Sequence, residues 1–109
     1  MSDAQEPTPA NPHRGEAMLE VAGKAQLLRP TFEALVLAEE ELGPLFALVE
    51  RAGDGRLKLS EMATLFWFCL DERETVSRIQ VGEAVTTRGL AGCATPLRVL
   101  LSQILRGSG

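Results

Sequence analysis

The chain has 109 residues, of which 45% are hydrophobic and 24% charged, and its formal net charge is −4. This composition is typical of one globular domain with a core of its own, and it excludes a chain that is disordered throughout. The acidic balance and the scattered arginines argue against nucleic-acid binding, and the longest apolar run, 63–70, is too short to span a bilayer. Because the first residues also lack the pattern of a signal peptide, we expect a cytoplasmic protein without nucleic-acid or membrane partners.

The N-terminal segment carries three prolines, Pro7, Pro9 and Pro12, among small and polar residues. Such a composition has little apolar surface to bury. We therefore predict a flexible, Pro-rich tail over residues 1–13 and a single domain over residues 14–107.

The domain is predicted to begin with a β-hairpin. Apolar side chains recur with the period of a half-buried strand at Ala17, Leu19 and Val21. Ala22 and Gly23 then supply a tight turn, and Ala25 and Leu27 continue the alternation. A hairpin is only marginally stable alone, so we expect helices to pack on its apolar face.

Two helices are predicted to follow the hairpin. The first begins after an N-cap at Thr31 and ends at Gly43. Its apolar stripe is predicted at Phe32, Leu35, Val36 and Leu42. Pro44 suits the first turn of a second, short helix that ends near Gly53.

Three further segments also have helical patterns. Ser60 is predicted to cap a third helix that is apolar almost all round, and Ser77 with Gln80 fits a capping box for a fourth helix. A last helix is predicted over 90–106, in which Pro96 should cause a kink or begin a new helix. Its inward residues are predicted to be Leu97, Leu100, Leu101, Ile104 and Leu105. The predicted fold class is α+β, an N-terminal β-hairpin packed on a small bundle of four to five helices.

The sequence offers no set of residues for catalysis. The single histidine, His13, lies beside the predicted tail, and neither Cys69 nor Cys93 has a histidine partner within the domain. Both cysteines lie in apolar segments, so we interpret them as reduced core thiols. We predict that the protein is not an enzyme and has no catalytic residues and no cofactor.

The segment from Glu50 to Glu61 can be aligned with a calcium-binding EF-hand loop. Its third position is Ala52, which has no side-chain oxygen, and the segment supplies too few ligands for calcium. We favour a Gly-rich turn between two helices and predict no metal site.

The consecutive aromatic residues Phe66, Trp67 and Phe68 cannot all point into one core from a single helix. Tryptophan is enriched at binding hot spots. Trp67 and Phe68 are therefore candidate partner-binding residues; the alternative is that all three aromatic side chains are buried between the helices and the hairpin.

Several segments carry a resemblance to a known family. They are Asn11–Glu16, Leu28–Leu35, Gly43, Val81–Glu83 and Gly89–Leu90, the last of which precedes a Leu-rich final helix. With these segments the chain resembles the gene transfer agent family of small phage-tail proteins, which are encoded beside the genes for the tail-tube and tape-measure proteins.

The resemblance implies a role in building a phage-like tail, with the tape-measure protein and the tail-tube protein as partners. One hypothesis is a tail assembly chaperone, which would cover the long, hydrophobic tape measure until the tube polymerises around it. The alternatives are a structural minor tail or tail-tube component that stays in the particle, or a generic helical adaptor. The resemblance carries no catalytic residues and leaves the oligomeric state open.

Overall fold

The computed structural model describes residues 16–106, which form a two-stranded antiparallel hairpin followed by five α-helices. The strands are β1 (Ala17–Val21) and β2 (Lys24–Leu28). The helices are α1 (Phe32–Leu42), α2 (Leu45–Gly53), α3 (Leu59–Cys69), α4 (Arg78–Arg88) and α5 (Leu90–Arg106), with a 3₁₀ turn at Arg73–Thr75. This confirms the predicted α+β class. The predicted tail, residues 1–13, lies outside the described residues.

The turn of the hairpin sets the register of its strands. Ala22 and Gly23 both have positive φ, 53° and 82°, as a two-residue hairpin turn requires. Val21 therefore faces Lys24, and Ala17 faces Leu28. Directly opposed residues of a hairpin lie on the same face of the sheet. The residues of β2 that lie opposite the buried residues of β1 are therefore on the same face as those residues.

Both predicted strands are present, and the predicted buried face is confirmed for β1 but wrong for β2. Ala17, Leu19 and Val21 are buried as predicted. On β2, however, Ala25 is exposed and Leu27 only half-buried, whereas Leu28 is fully buried. The two-residue turn is the reason, since it places Ala25 and Leu27 on the outer face.

The hairpin is attached to the helices by backbone hydrogen bonds. Arg29 N–H donates to the carbonyl of Cys69 over 2.6 Å, and Asp71 N–H donates to the carbonyl of Leu27 over 2.9 Å. Leu28 and Leu70 form a β-bridge between these bonds, and both side chains are buried. Leu70, the residue directly after α3, thus adds one short pairing to the sheet.

Helix α1 begins and ends where predicted. The Thr31 hydroxyl accepts a hydrogen bond from Ala34 N–H over 3.1 Å. Gly43 ends the helix with a φ of 86°, and its N–H donates to the carbonyl of Glu39. The capping and stop signals in the sequence therefore act as expected.

The predicted apolar stripe of α1 is buried only in part. The residues that α1 buries are Ala34 and Ala38, while Leu35 and Leu42 are half-buried. Phe32 is 85% exposed, and Val36 also lies at the surface. α1 packs closely against α3 through its alanines, which leaves Phe32 and Val36 at the surface.

Helices α2, α3 and α4 are confirmed, with one correction to the caps. α2 follows Pro44 as predicted, and Ser77 and Gln80 form the capping box of α4. The N-cap of α3 is Lys58 rather than Ser60, which lies inside the first turn. The Glu61 carboxylate accepts a hydrogen bond from Lys58 N–H over 2.9 Å. This capping interaction determines where α3 begins.

Helix α5 continues through Pro96 as one element. A proline at this position leaves the carbonyl of Gly92 without its usual donor one turn later. The guanidinium of Arg88 supplies the missing donor, Nε to the Gly92 oxygen over 2.7 Å. Of the predicted inward residues, Leu100 is fully buried and Leu97, Leu101 and Ile104 pack against the core, whereas Leu105 is 53% exposed, contrary to the prediction.

The core lies where the hairpin, α3, α4 and α5 meet. Its fully buried large side chains are Leu19, Leu28, Leu48, Leu65, Phe66 and Leu100. Both cysteines are free and buried, which confirms their interpretation as core thiols. None of the helices among residues 16–106 combines the length and the apolar character needed to cross a membrane.

Candidate functional site

Three helices leave an apolar groove of about 290 Å³ on the surface of the protein. We call it the α1/α2/α5 surface. It is lined by Phe32, Leu35, Val36, Glu39, Leu45, Phe46, Val49, Ile104 and Leu105.

The large side chains of this surface are unusually exposed. Phe32 is 85% exposed, Phe46 68% and Leu105 53%. Burying one such side chain completely is worth roughly 1.5–3 kcal/mol. A contiguous patch of this kind, with polar residues around it, is typical of a surface that binds another molecule.

The corner between α1 and α2 shapes the surface. Only Gly43 and Pro44 separate the two helices, so Phe46 lies at the beginning of α2. The carboxylate of Glu39, on α1, accepts a hydrogen bond from Leu45 N–H over 3.1 Å. A negative charge at the N-terminus of a helix is favourable, so Glu39 both caps α2 and holds it against α1.

The sequence prediction missed this surface. Leu105 was expected to point inward, Phe32 and Val36 were assigned only to the apolar stripe of α1, and Phe46 was not singled out. The available signal was the number of apolar residues: α1 carries more of them than one buried face of a helix can hold, so some must remain exposed. Periodicity alone does not tell which face that is.

The predicted partner-binding pair lies elsewhere, at the end of α3. The rings of Trp67 and Phe68 meet edge to face with centroids 5.0 Å apart. Phe68 is only 7% exposed, and Trp67 is half-buried, with its Nε1 donating to the carbonyl of Val76. The guanidinium of Arg78 lies 4.6 Å from the Trp67 ring centroid. Neither aromatic side chain lines the α1/α2/α5 surface, and their role as partner contacts stays a prediction.

The connection between α2 and α3 uses its carboxylates for internal contacts. Asp54 pairs with Arg56 over 3.1 Å, and Glu61 pairs with Arg51 over 2.5 Å. The backbone N–H of Lys58 and the guanidinium of Arg51 hold the pKa of the Glu61 carboxyl below its usual range, against the opposing effect of burial. Within residues 16–106, no three His, Cys, Asp or Glu side chains lie close enough together to hold a metal ion.

The cysteines are poorly suited to chemistry. Burial raises the pKa of the Cys69 thiol to about 12, against a smaller opposing effect of Arg73. Burial also raises the pKa of the Cys93 thiol. Since the thiolate is the nucleophile, both side chains are held in the unreactive form at neutral pH. His13 lies outside the described residues.

A second groove, between α3 and α4, is open and has a mixed lining. Leu59 and Ile79 are its exposed large side chains, and the rest of its lining is small or polar. Ile79 is 73% exposed and lies outside the α1/α2/α5 surface. It therefore provides a matched control for substitutions there.

Over residues 16–106, fold and surface together define a small α+β protein with a hairpin, five helices and an apolar surface between α1, α2 and α5. A family model described as "Phage tail tube protein, GTA-gp10" matches residues 14–107, nearly the whole chain. The chain belongs to this family of phage-tail proteins, which confirms the predicted relation to gene transfer agents and phage tails. Searches of curated proteins and of solved structures find no significant match.

Proposed function

We propose that the protein is a tail assembly chaperone that uses the α1/α2/α5 surface to bind the tape-measure protein, the tail-tube protein or both. The observation that carries the proposal is the exposure of Phe32 and Phe46 on one groove. These rings gain apolar burial only when a partner covers them. The proposal assigns the protein no catalytic activity.

The kind of partner follows from the shape of the surface. A groove between helices, lined by apolar side chains, suits the apolar face of a helix. A tape measure is a long, hydrophobic, helical protein that needs cover until the tube encloses it. A chaperone would act in the cytoplasm of the cell that builds the particle and leave before the particle is complete.

A second candidate is a structural tail-tube component that remains in the particle. The description of the matching family favours it, since it names a tail tube protein. In that role the α1/α2/α5 surface would contact neighbouring tail proteins permanently. Mass spectrometry of purified particles separates the two roles, because the chaperone is absent from them and the tube component is present in many copies.

The test of the proposal is a pull-down of the tagged protein from cells that produce particles. We expect the tape-measure or tail-tube protein to co-purify with the wild type and with Ile79→Ser. The double variant Phe32→Ser/Phe46→Ser should fold and lose the partner. Recovery of neither tail protein, in cells that demonstrably make tails, would overturn the proposal and favour a generic adaptor.

A further inference from the structure

Three exposed glutamates border the α1/α2/α5 surface. Glu33 and Glu40 lie one turn before and after Val36 on α1, and Glu50 lies one turn after Phe46 on α2. All three are exposed, and none of their carboxylates takes part in an ion pair or a side-chain hydrogen bond among the described residues.

The neighbouring glutamates differ, because they already have partners within the protein. Glu39 accepts from Leu45 N–H, and Glu41 pairs with Arg78 over 2.6 Å. The one basic residue next in sequence to a lining residue is Arg106, after Leu105. The border of the surface along α1 and α2 is therefore negative, and this charge is available to another molecule.

The short segments on either side of the described residues are poor occupants for an apolar groove. The residues before 16 and after 106 contain no Leu, Ile, Val, Phe or Trp. A second copy would bring the same glutamates face to face, and opposed like charges are unfavourable. The occupant is thus a different molecule, with apolar side chains for the groove and positive charges for its border.

We propose that the α1/α2/α5 surface selects an amphipathic helix whose apolar stripe is flanked by lysine or arginine. This inference rests on the proposed function and specifies the partner segment. The apolar stripe enters between Phe32, Phe46 and Leu105, and the basic residues lie beside Glu33, Glu40 and Glu50. Apolar burial supplies affinity, and the charges supply selectivity and faster association.

The experiment uses the full chain and two synthetic helical peptides with the same leucine and phenylalanine stripe. One peptide carries lysines beside the stripe and the other carries glutamates. By fluorescence anisotropy, we expect the lysine peptide to bind about tenfold tighter or more. Raising the salt concentration from about 0.05 to about 0.5 M should reduce this difference, because the charges are at the surface.

Charge reversal at the border provides the internal control. Glu33→Lys/Glu40→Lys should abolish or reverse the preference for the lysine peptide. Glu72→Lys/Glu74→Lys changes the net charge equally, at exposed positions outside the α1/α2/α5 surface, and should preserve it. Equal binding of both peptides, binding of neither, or the same response of both double variants would overturn the inference.

The outcomes also separate this inference from the proposed function. A lysine preference together with a pull-down that lacks tail proteins supports the surface chemistry and rejects the chaperone role. Recovery of a tail protein without any charge preference supports the chaperone role and rejects the selection by charge.

Discussion

The indole Nε1 of Trp67 donates a hydrogen bond of 2.7 Å to the carbonyl oxygen of Val76. Val76 is buried and directly precedes Ser77, the N-cap of α4. The bond therefore ties the end of α3 to the beginning of α4 across the 3₁₀ turn. The guanidinium of Arg78 covers the ring from α4 and pairs with Glu41, on α1.

Trp67→Phe removes this donor and keeps an aromatic ring. We expect the free energy of unfolding to fall by about 1 kcal/mol, the usual net value of one hydrogen bond. Urea denaturation measures it. Phe46→Ala, which removes an exposed ring, should stay within about 0.5 kcal/mol of the wild type. An unchanged stability of Trp67→Phe would show that the hydrogen bond contributes nothing.

The same variant tests the prediction that Trp67 contacts a partner. Under conditions where Trp67→Phe remains folded, loss of partner binding would establish the contact. Full partner binding would restrict Trp67 to its structural role.

Local signals in the sequence predicted much of the fold. The Thr31 and Ser77 caps, the glycine end of α1 and the Ala22–Gly23 turn depend on neighbouring residues alone, and all are confirmed. The errors concern which faces are buried and where one helix begins, not which elements are present. The outer face of β2 depends on the register that the turn imposes, and the cap of α3 depends on a carboxylate three residues further on.

The candidate surface was harder to predict, because it depends on which face of α1 meets α3. Two small side chains, Ala34 and Ala38, allow the close approach, and the larger Phe32 and Val36 then remain outside. Such a choice is decided by the packing of several helices together. The sequence pattern of α1 alone therefore does not reveal which of its faces is buried.

The close packing of α1 gives a direct test at Ala38, which is fully buried. Ala38→Leu forces extra methyl groups between α1 and its neighbours, and it should cost about 1–3 kcal/mol of unfolding free energy. Thermal or urea unfolding measures the loss. Val36→Leu, an exposed substitution on the same helix, is the control and should change stability by less than about 0.5 kcal/mol. Equal effects of the two variants would contradict the assignment of the buried face.

The Glu61 carboxyl makes stability depend on pH. Its pKa is lowered from 4.5, mainly by the hydrogen bond from the Lys58 backbone. A lowered pKa stabilises the folded state above the unfolded value, and this stabilisation is lost as the pH falls through the folded value. Glu61→Gln should therefore be less stable than the wild type at pH 7.

The difference between Glu61→Gln and the wild type should shrink as the pH falls from about 4.5, the ordinary value, through the lower pKa of the folded state, where the native carboxyl becomes neutral. Urea midpoints across this pH range are the measurement. Glu74→Gln serves as the control, because Glu74 is exposed and makes no side-chain contact of this kind within residues 16–106. A difference that is constant with pH would show that charge at Glu61 has no part in capping α3.

The two thiols should be inert in the native protein. Cys69 and Cys93 are buried, and burial raises the pKa of each thiol. We expect negligible reaction with an aromatic disulfide reagent at pH 8 in buffer, and reaction of both thiols in denaturing urea. Rapid labelling of the native protein would show that the region around α3 and α5 opens readily.

Gly43 has a consequence that reaches beyond the end of α1. Its φ of 86° and ψ of −174° lie in a region that is essentially accessible to glycine alone, and it joins the helix of Phe32 to that of Phe46. A Cβ atom there would meet no neighbour within 4 Å. A substitution is therefore unfavourable because of the backbone conformation, not because of a steric clash. A genetic screen for failed tail assembly should therefore recover Gly43 substitutions, although this residue has no side chain to offer a partner.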